Sequence, residues 1–117
     1  MLIFISLFLF LGCEENTNEI ETINIKNRTS ISINVLVDID NYIFDRNVES
    51  YNSITIPASP GNYKMIIREN RYNQYQYEYV QNIDVIEERN TVVEINQGRY
   101  YNEFDIHMYF HKHNNYD

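Results

Sequence analysis

The chain is 117 residues long with a mass of 14.1 kDa, and its 9 Lys and Arg against 17 Asp and Glu give a net charge of −8. That size fits one domain with a modest core. The single cysteine excludes an internal disulfide framework and cysteine-rich zinc motifs. The acidic balance speaks against nucleic acid as a partner, because phosphate contact needs a positive surface.

Residues 1–12 are apolar except for Ser6, Cys13 follows directly, and residues 14–19 are polar without a break. The apolar run is too short to span a hydrocarbon layer, which takes roughly 20 residues as a helix. It also has no polar face, so it does not read as a globular element. Phe10-Leu11-Gly12-Cys13, ending that run, resembles the lipobox of bacterial lipoproteins. The resemblance implies that residues 1–12 are a signal peptide, cut away before Cys13 once its sulfur has received a diacylglycerol. It further implies a protein of the bacterial cell envelope, lipid-anchored to a membrane and facing outside the cytoplasm. Residues 13–19 would be the lipidated cysteine and a polar tether. Burial of acyl carbons stabilises attachment by about 0.8 kcal/mol per CH₂, and two chains hold where one is marginal.

The remaining sequence is built for strands. Residues 14–117 contain 40 apolar side chains, of which 22 are Ile or Val and 11 are Tyr, against one Leu and one Ala. β-branched and aromatic residues pack well on a pleated surface, whereas Leu and Ala favour helices. A first strand is expected over residues 20–26, followed by a turn at Asn27-Arg28-Thr29. Ile31, Ile33, Val35, Val37 and Ile39 alternate with Ser32, Asn34, Leu36 and Asp38, which predicts a strand with its odd face buried and its even face mostly wet. Residues 40–50 are a loop or a short edge strand. Residues 53–56 read as a strand stopped by Pro57 and Pro60, and Tyr63, Met65 and Ile67 then share one face of the next.

Tyr75, Tyr77 and Tyr79 alternate with Gln76 and Glu78 and lead to Ile83 and Val85, with a bulge expected near Val80-Gln81. The four residues Glu87-Glu88-Arg89-Asn90 predict a hairpin to a strand over residues 91–95. Gly98 marks a break, and Phe104, Ile106, Met108 and Phe110 alternate with Asp105, His107, Tyr109 and His111. The whole predicts an all-β fold, a single antiparallel β-sandwich of about seven to eight strands. The expected domain covers residues 20–111, with a loose tail over residues 112–117.

Ile54-Thr55-Ile56-Pro57 followed by Pro60-Gly61-Asn62-Tyr63 resembles the turn-and-strand core of PEGA-type and carboxypeptidase regulatory-like β-sandwich modules. That likeness covers residues 53–96. It implies a scaffold, adhesion or binding domain rather than an enzyme.

Three groups of side chains are candidates for function. Tyr72, Tyr75, Tyr77, Tyr79, Tyr100, Tyr101 and Tyr109 could stack on sugars or fill pockets in a protein partner, since each ring joins an apolar body to a polar tip. The alternative is that they pack the sandwich. Asp105, His107, His111 and His113 carry metal-ligand chemistry, but an extended strand spaces them about 6.6–7 Å per two-residue step, too widely to converge on one ion unaided. The acidic pairs Glu87 with Glu88 and Asp38 with Asp40 read as solvated charge. Asn27-Arg28-Thr29 has the form of a glycosylation acceptor, which the bacterial resemblance sets aside. No nucleophile constellation or phosphate-binding loop is present, so no cofactor and no catalysis are implied.

The expected function is therefore a membrane-anchored, non-catalytic binding or scaffold module for a protein or glycan partner. An envelope inhibitor or immunity protein, steered by its acidity to a basic enzyme, is the alternative. Metal binding through the C-terminal histidines is the remote one.

Overall fold

A computed structural model describes residues 20–71, 74–99 and 103–112, with residues 71 and 74–77 described in backbone alone. The Ile, Val and Tyr bias resolves into eight strands among these residues. They are β1 (Thr22–Asn27), β2 (Ile33–Ile39), β3 (Tyr42–Val48), β4 (Ser53–Pro57), β5 (Gly61–Arg71), β6 (Gln74–Val85), β7 (Arg89–Gln97) and β8 (Phe104–Lys112). Two four-stranded sheets face each other, one in the order β4-β1-β7-β8 and the other in the order β3-β2-β5-β6. The protein is thus an all-β single sandwich. Every neighbouring pair is antiparallel except β1 and β7, which run parallel from Ile23 opposite Thr91 to Asn27 opposite Ile95.

The core lies between the inner rows that period-two patterning supplies. Ile23 and Ile25 of β1, Ile56 of β4, and Val93 and Ile95 of β7 meet Ile33, Val35 and Val37 of β2, Met65 and Ile67 of β5, and Ile83 of β6, all buried. The outer rows are mixed, with Leu36, Ile66 and Val80 side by side across β2, β5 and β6 among polar residues, and β2 departs from its expected wet face at a further position. Asn34 is buried there, donating to Asp45 Oδ1 at 2.8 Å and to Asn47 Oδ1 at 3.0 Å. Its own Oδ1 accepts from Arg68 Nη2 at 2.6 Å and Nε at 3.1 Å. The Arg68 side chain and its neighbours cover a position that the alternation alone assigns to solvent.

Residues 40–50 contribute the edge strand β3, joined to β2 by the two-residue turn Asp40-Asn41. Both residues have positive φ, 48° and 66°, which fits the right-handed twist of a hairpin and which Asp and Asn tolerate. The Pro60-Gly61 turn is fixed by Tyr63, whose hydroxyl donates to the Ser59 carbonyl at 2.6 Å.

Two sequence expectations are corrected. Residues 83–95 do not form a hairpin, because β6 belongs to one sheet and β7 to the other, so the turn at Glu87-Glu88 carries the chain across the sandwich. Thr91, fully buried, secures this corner by donating to the Asp84 carbonyl at 2.6 Å. The bulge also lies elsewhere: the β5–β6 register shifts between Arg68, opposite Glu78, and Glu69, opposite Gln76, so the extra residue is Tyr77 rather than one near Val80.

Candidate functional site

The strands set which loops share an end. The first end gathers the start of β1, the Asp40-Asn41 turn, Pro60-Gly61 and Glu87-Glu88. The second end gathers the residues after Asn27, the β3–β4 turn, and the ends of β5 and β7.

At the second end one turn runs against the preference of its own residue. The Asn52 N–H donates to the Glu49 carbonyl at 3.0 Å, closing a four-residue turn whose third member is Tyr51. Tyr51 has φ of 62° and is 71% exposed. That position favours Gly or Asn, since a Cβ crowds the following carbonyl at positive φ, a cost of roughly 1–2 kcal/mol. A bulky ring is therefore held out in solvent on a backbone that resists it.

What holds it is a buried polar plug. Asn27, 1% exposed, donates through Nδ2 to the carbonyls of Ile31 at 2.8 Å, Val48 at 3.0 Å and Glu49 at 3.2 Å. Its Oδ1 accepts from the Thr29 N–H at 2.9 Å and the Thr29 hydroxyl at 2.6 Å. The Ser50 hydroxyl donates to the Thr29 carbonyl at 2.7 Å, and the Asn27 N–H donates to the Asn52 carbonyl at 2.9 Å. The β1–β2 loop and the Tyr51 turn are thereby one rigid unit. Asn27-Arg28-Thr29 is structural, and its amide is not accessible for modification.

Beside Tyr51 an open groove of about 380 Å³ is lined by residues 47–49 and 51–54. Asn47, Glu49, Asn52 and Ser53 give it amide, carboxylate and hydroxyl groups, and half-buried Ile54 gives it apolar surface. An aromatic plate next to planar polar side chains is the combination that recognises a ligand with one apolar face and many hydroxyls.

The tyrosines singled out from the sequence fare differently. Tyr79 faces inward, half-buried against the core, with its ring edge-on to Phe104 at 5.8 Å between centroids. Tyr75 and Tyr77 are described in backbone alone, and the bulge at Tyr77 breaks the alternation that would align the three. Tyr72, Tyr100 and Tyr101 lie outside the described residues. Sequence reading missed Tyr51 itself. Its signal was a large aromatic flanked by Ser50 and Asn52, turn-forming residues with no strand to justify the ring.

Tyr109 lies on the outer face of the first sheet and donates its hydroxyl to Glu94 Oε2 at 2.9 Å, while Arg28 Nη2 stands 3.5 Å from the same oxygen. The Tyr109 bond, and then Arg28 and Lys26, hold the Glu94 carboxyl below its ordinary range, against the upward effect of partial burial. The same bond, with burial and the Glu94 charge, pushes the Tyr109 hydroxyl up from 10.0. Along this face His107 Nε2 meets Asp105 Oδ2 at 3.4 Å, and the exposed His111 ring stands edge-on to Tyr109 at 5.2 Å. His113 lies outside the described residues, and among the described residues no three His, Cys, Asp or Glu side chains gather to hold a metal. Asp38, Asp40, Glu87 and Glu88 are exposed, with the Glu88 N–H accepted by Glu21 Oε2 at 3.0 Å. Cys13 lies outside the described residues.

No protein-family model and no curated protein matches this chain.

Proposed function

We propose that the protein is a lipid-anchored binding module of the bacterial cell envelope whose ligand is a glycan, taken up in the groove beside Tyr51. The observation that carries the reading is Tyr51 itself, exposed at positive φ over a polar groove and braced from beneath by Asn27. Strain of this kind clusters at functional sites. Sugar rings suit the site because their C–H faces stack on aromatic rings while their hydroxyls pair with amides and carboxylates. Gly12-Cys13 at the end of an apolar run supports the anchor. β1 leads from Thr22, the end nearer Cys13, to Asn27 beneath Tyr51, about 17 Å away. An anchor at Cys13 would leave the groove facing away from the membrane.

Two measurements on the full chain test this. Cys13→Ser is expected to move the protein out of the detergent-extracted membrane fraction; a variant that stays membrane-bound overturns the anchor. On an array of envelope glycans the chain is expected to give signal that Tyr51→Ala abolishes. No glycan signal, together with capture of one basic protein that high salt releases, would replace the glycan with a protein target of an inhibitor.

A further inference from the structure

Four strands form the outer edges of the two sheets, β4 and β8 in the first and β3 and β6 in the second, and among the described residues no strand pairs with their free sides. An unpaired edge offers N–H and C=O groups to any strand that meets it, and folds blunt such edges in recognisable ways. β4 is five residues long and ends at Pro57. β3 sets Arg46 opposite buried Val35, a charge on the inner row, with its guanidinium 5.7 Å from the Phe44 ring. β6 is bent by its bulge and carries Glu78 and Asp84 with no cation. β8 has none of these devices. It runs nine residues in unbroken register with β7, without proline and without a charge on its inner row before the terminal Lys112. Its inner residues Ile106, Met108 and Phe110 stay only half-buried, whereas Val93 and Ile95 beside them are fully buried.

We infer that β8 is a self-association edge, which pairs antiparallel with β8 of a second copy about a two-fold axis at Met108. The occupant follows from the strand's own sequence, because an isologous contact needs a strand that complements its own reversal. Reversal about Met108 sets Asp105 against His111 on the outer face and Ile106 against Phe110 on the inner face. His107 then meets Tyr109, and Phe104 meets Lys112 at the ends. Directly opposed side chains stand about 4.5–5.5 Å apart at Cβ, close enough for an imidazole to donate to a carboxylate. Asp105 Oδ2 already lies 3.4 Å from its own His107, and a carboxylate has acceptor sites for both rings. With Asp105 balanced by Lys112, the strand brings no net charge to the contact when its histidines are neutral, unlike β6. The β4-β1-β7-β8 sheets of the two copies become one continuous sheet, and the half-buried row Ile106, Met108, Phe110 is covered. This surface is separate from the Tyr51 groove and does not depend on what that groove binds.

Sedimentation velocity of the full chain in density-matched detergent, over a concentration series, is expected to show a dimer that dissociates on dilution. His111→Asp sets like charges against Asp105 at both symmetric positions and should weaken the dimer roughly tenfold. Adding Asp105→Lys to the same chain should restore it. Both positions are exposed, and far-ultraviolet circular dichroism checks that the variants fold. A chain that is monomeric across the series overturns the inference. So does a dimer that both His111→Asp and the double variant leave unchanged.

Discussion

The two ends of β3 carry turns that solve the same backbone problem in opposite ways. At one end Asp40 and Asn41 take positive φ, and both residue types accept it because their short polar side chains relieve the crowding. At the other end Tyr51 takes nearly the same φ as Asn41, 62° against 66°, with a side chain that gains nothing from it. The first turn is built from residue types that suit it. The second is held by distant contacts, and its ring is largely exposed. The difference separates a turn whose residue types suit its backbone from one whose backbone is held by contacts elsewhere in the fold.

The largest expected effect comes from removing what holds the second turn. Asn27→Ala would leave the carbonyls of Ile31, Val48 and Glu49 and the Thr29 N–H without their side-chain partner in a buried site. A loss of about 3 kcal/mol is expected, measurable by urea unfolding, together with loss of ligand binding as the Tyr51 turn comes free. A stability change under about 1 kcal/mol would mean that water replaces the amide and that the plug is not what fixes the turn.

A smaller effect, of opposite sign, would sharpen the contrast between the turns. Tyr51→Gly removes a Cβ from a left-handed position and should raise stability by about 1 kcal/mol while abolishing binding. Asn41→Gly should change stability by less than about 0.5 kcal/mol, because Asn is already tolerated there. If Tyr51→Gly destabilises instead, the ring packs rather than presents, and the two turns are alike after all.

A further effect, about as large as that of Tyr51→Gly, concerns the outer face of the first sheet. Tyr109→Phe removes the bond to Glu94 and should cost about 1 kcal/mol near neutral pH. Because the Glu94 carboxyl is held low, its share of this stability is complete above the ordinary value of 4.5 and is lost as pH falls through the folded-state value. Because the Tyr109 hydroxyl is pushed up, its share is complete below 10.0 and is lost as pH rises through the folded-state value. The difference between the two proteins should therefore be flat between those limits and shrink outside both. A difference independent of pH would assign Tyr109 to packing on His111 alone.

Local pattern carried the fold far but not all the way. The alternation of Ile33, Val35, Val37 and Ile39, and of Phe104 and Ile106, reads directly as strands because side-chain direction has period two. The turn at Glu87-Glu88 was equally legible as a turn, yet its neighbours joined different sheets. A reversal of the chain says nothing about which sheet the next strand enters, and that choice is fixed by the pairing of β7 with β1, far away in sequence. Asn34 was assigned to the wet face because the pattern cannot see Arg68 laid across it. Tyr51 escaped for the same reason: its φ is imposed by Asn27, more than twenty residues earlier. The tyrosine-rich strand, in contrast, was conspicuous by composition, and Tyr79 turned out to serve the core.

The parallel pairing of β1 with β7 also bears on how this molecule would meet mechanical load. Thr22 is linked to Asn90, 68 residues further along, so the first strand has no complete berth until nearly all of the chain is present. Closure of the sandwich is a non-local event, which slows folding. Once closed, β1 lies between β4 and β7 with a backbone ladder on each side. A pull on residue 20 then acts along those ladders, and their hydrogen bonds must yield in shear, together, rather than peel one at a time. A tug at the N-terminal end would be resisted by the strongest geometry that a sheet provides.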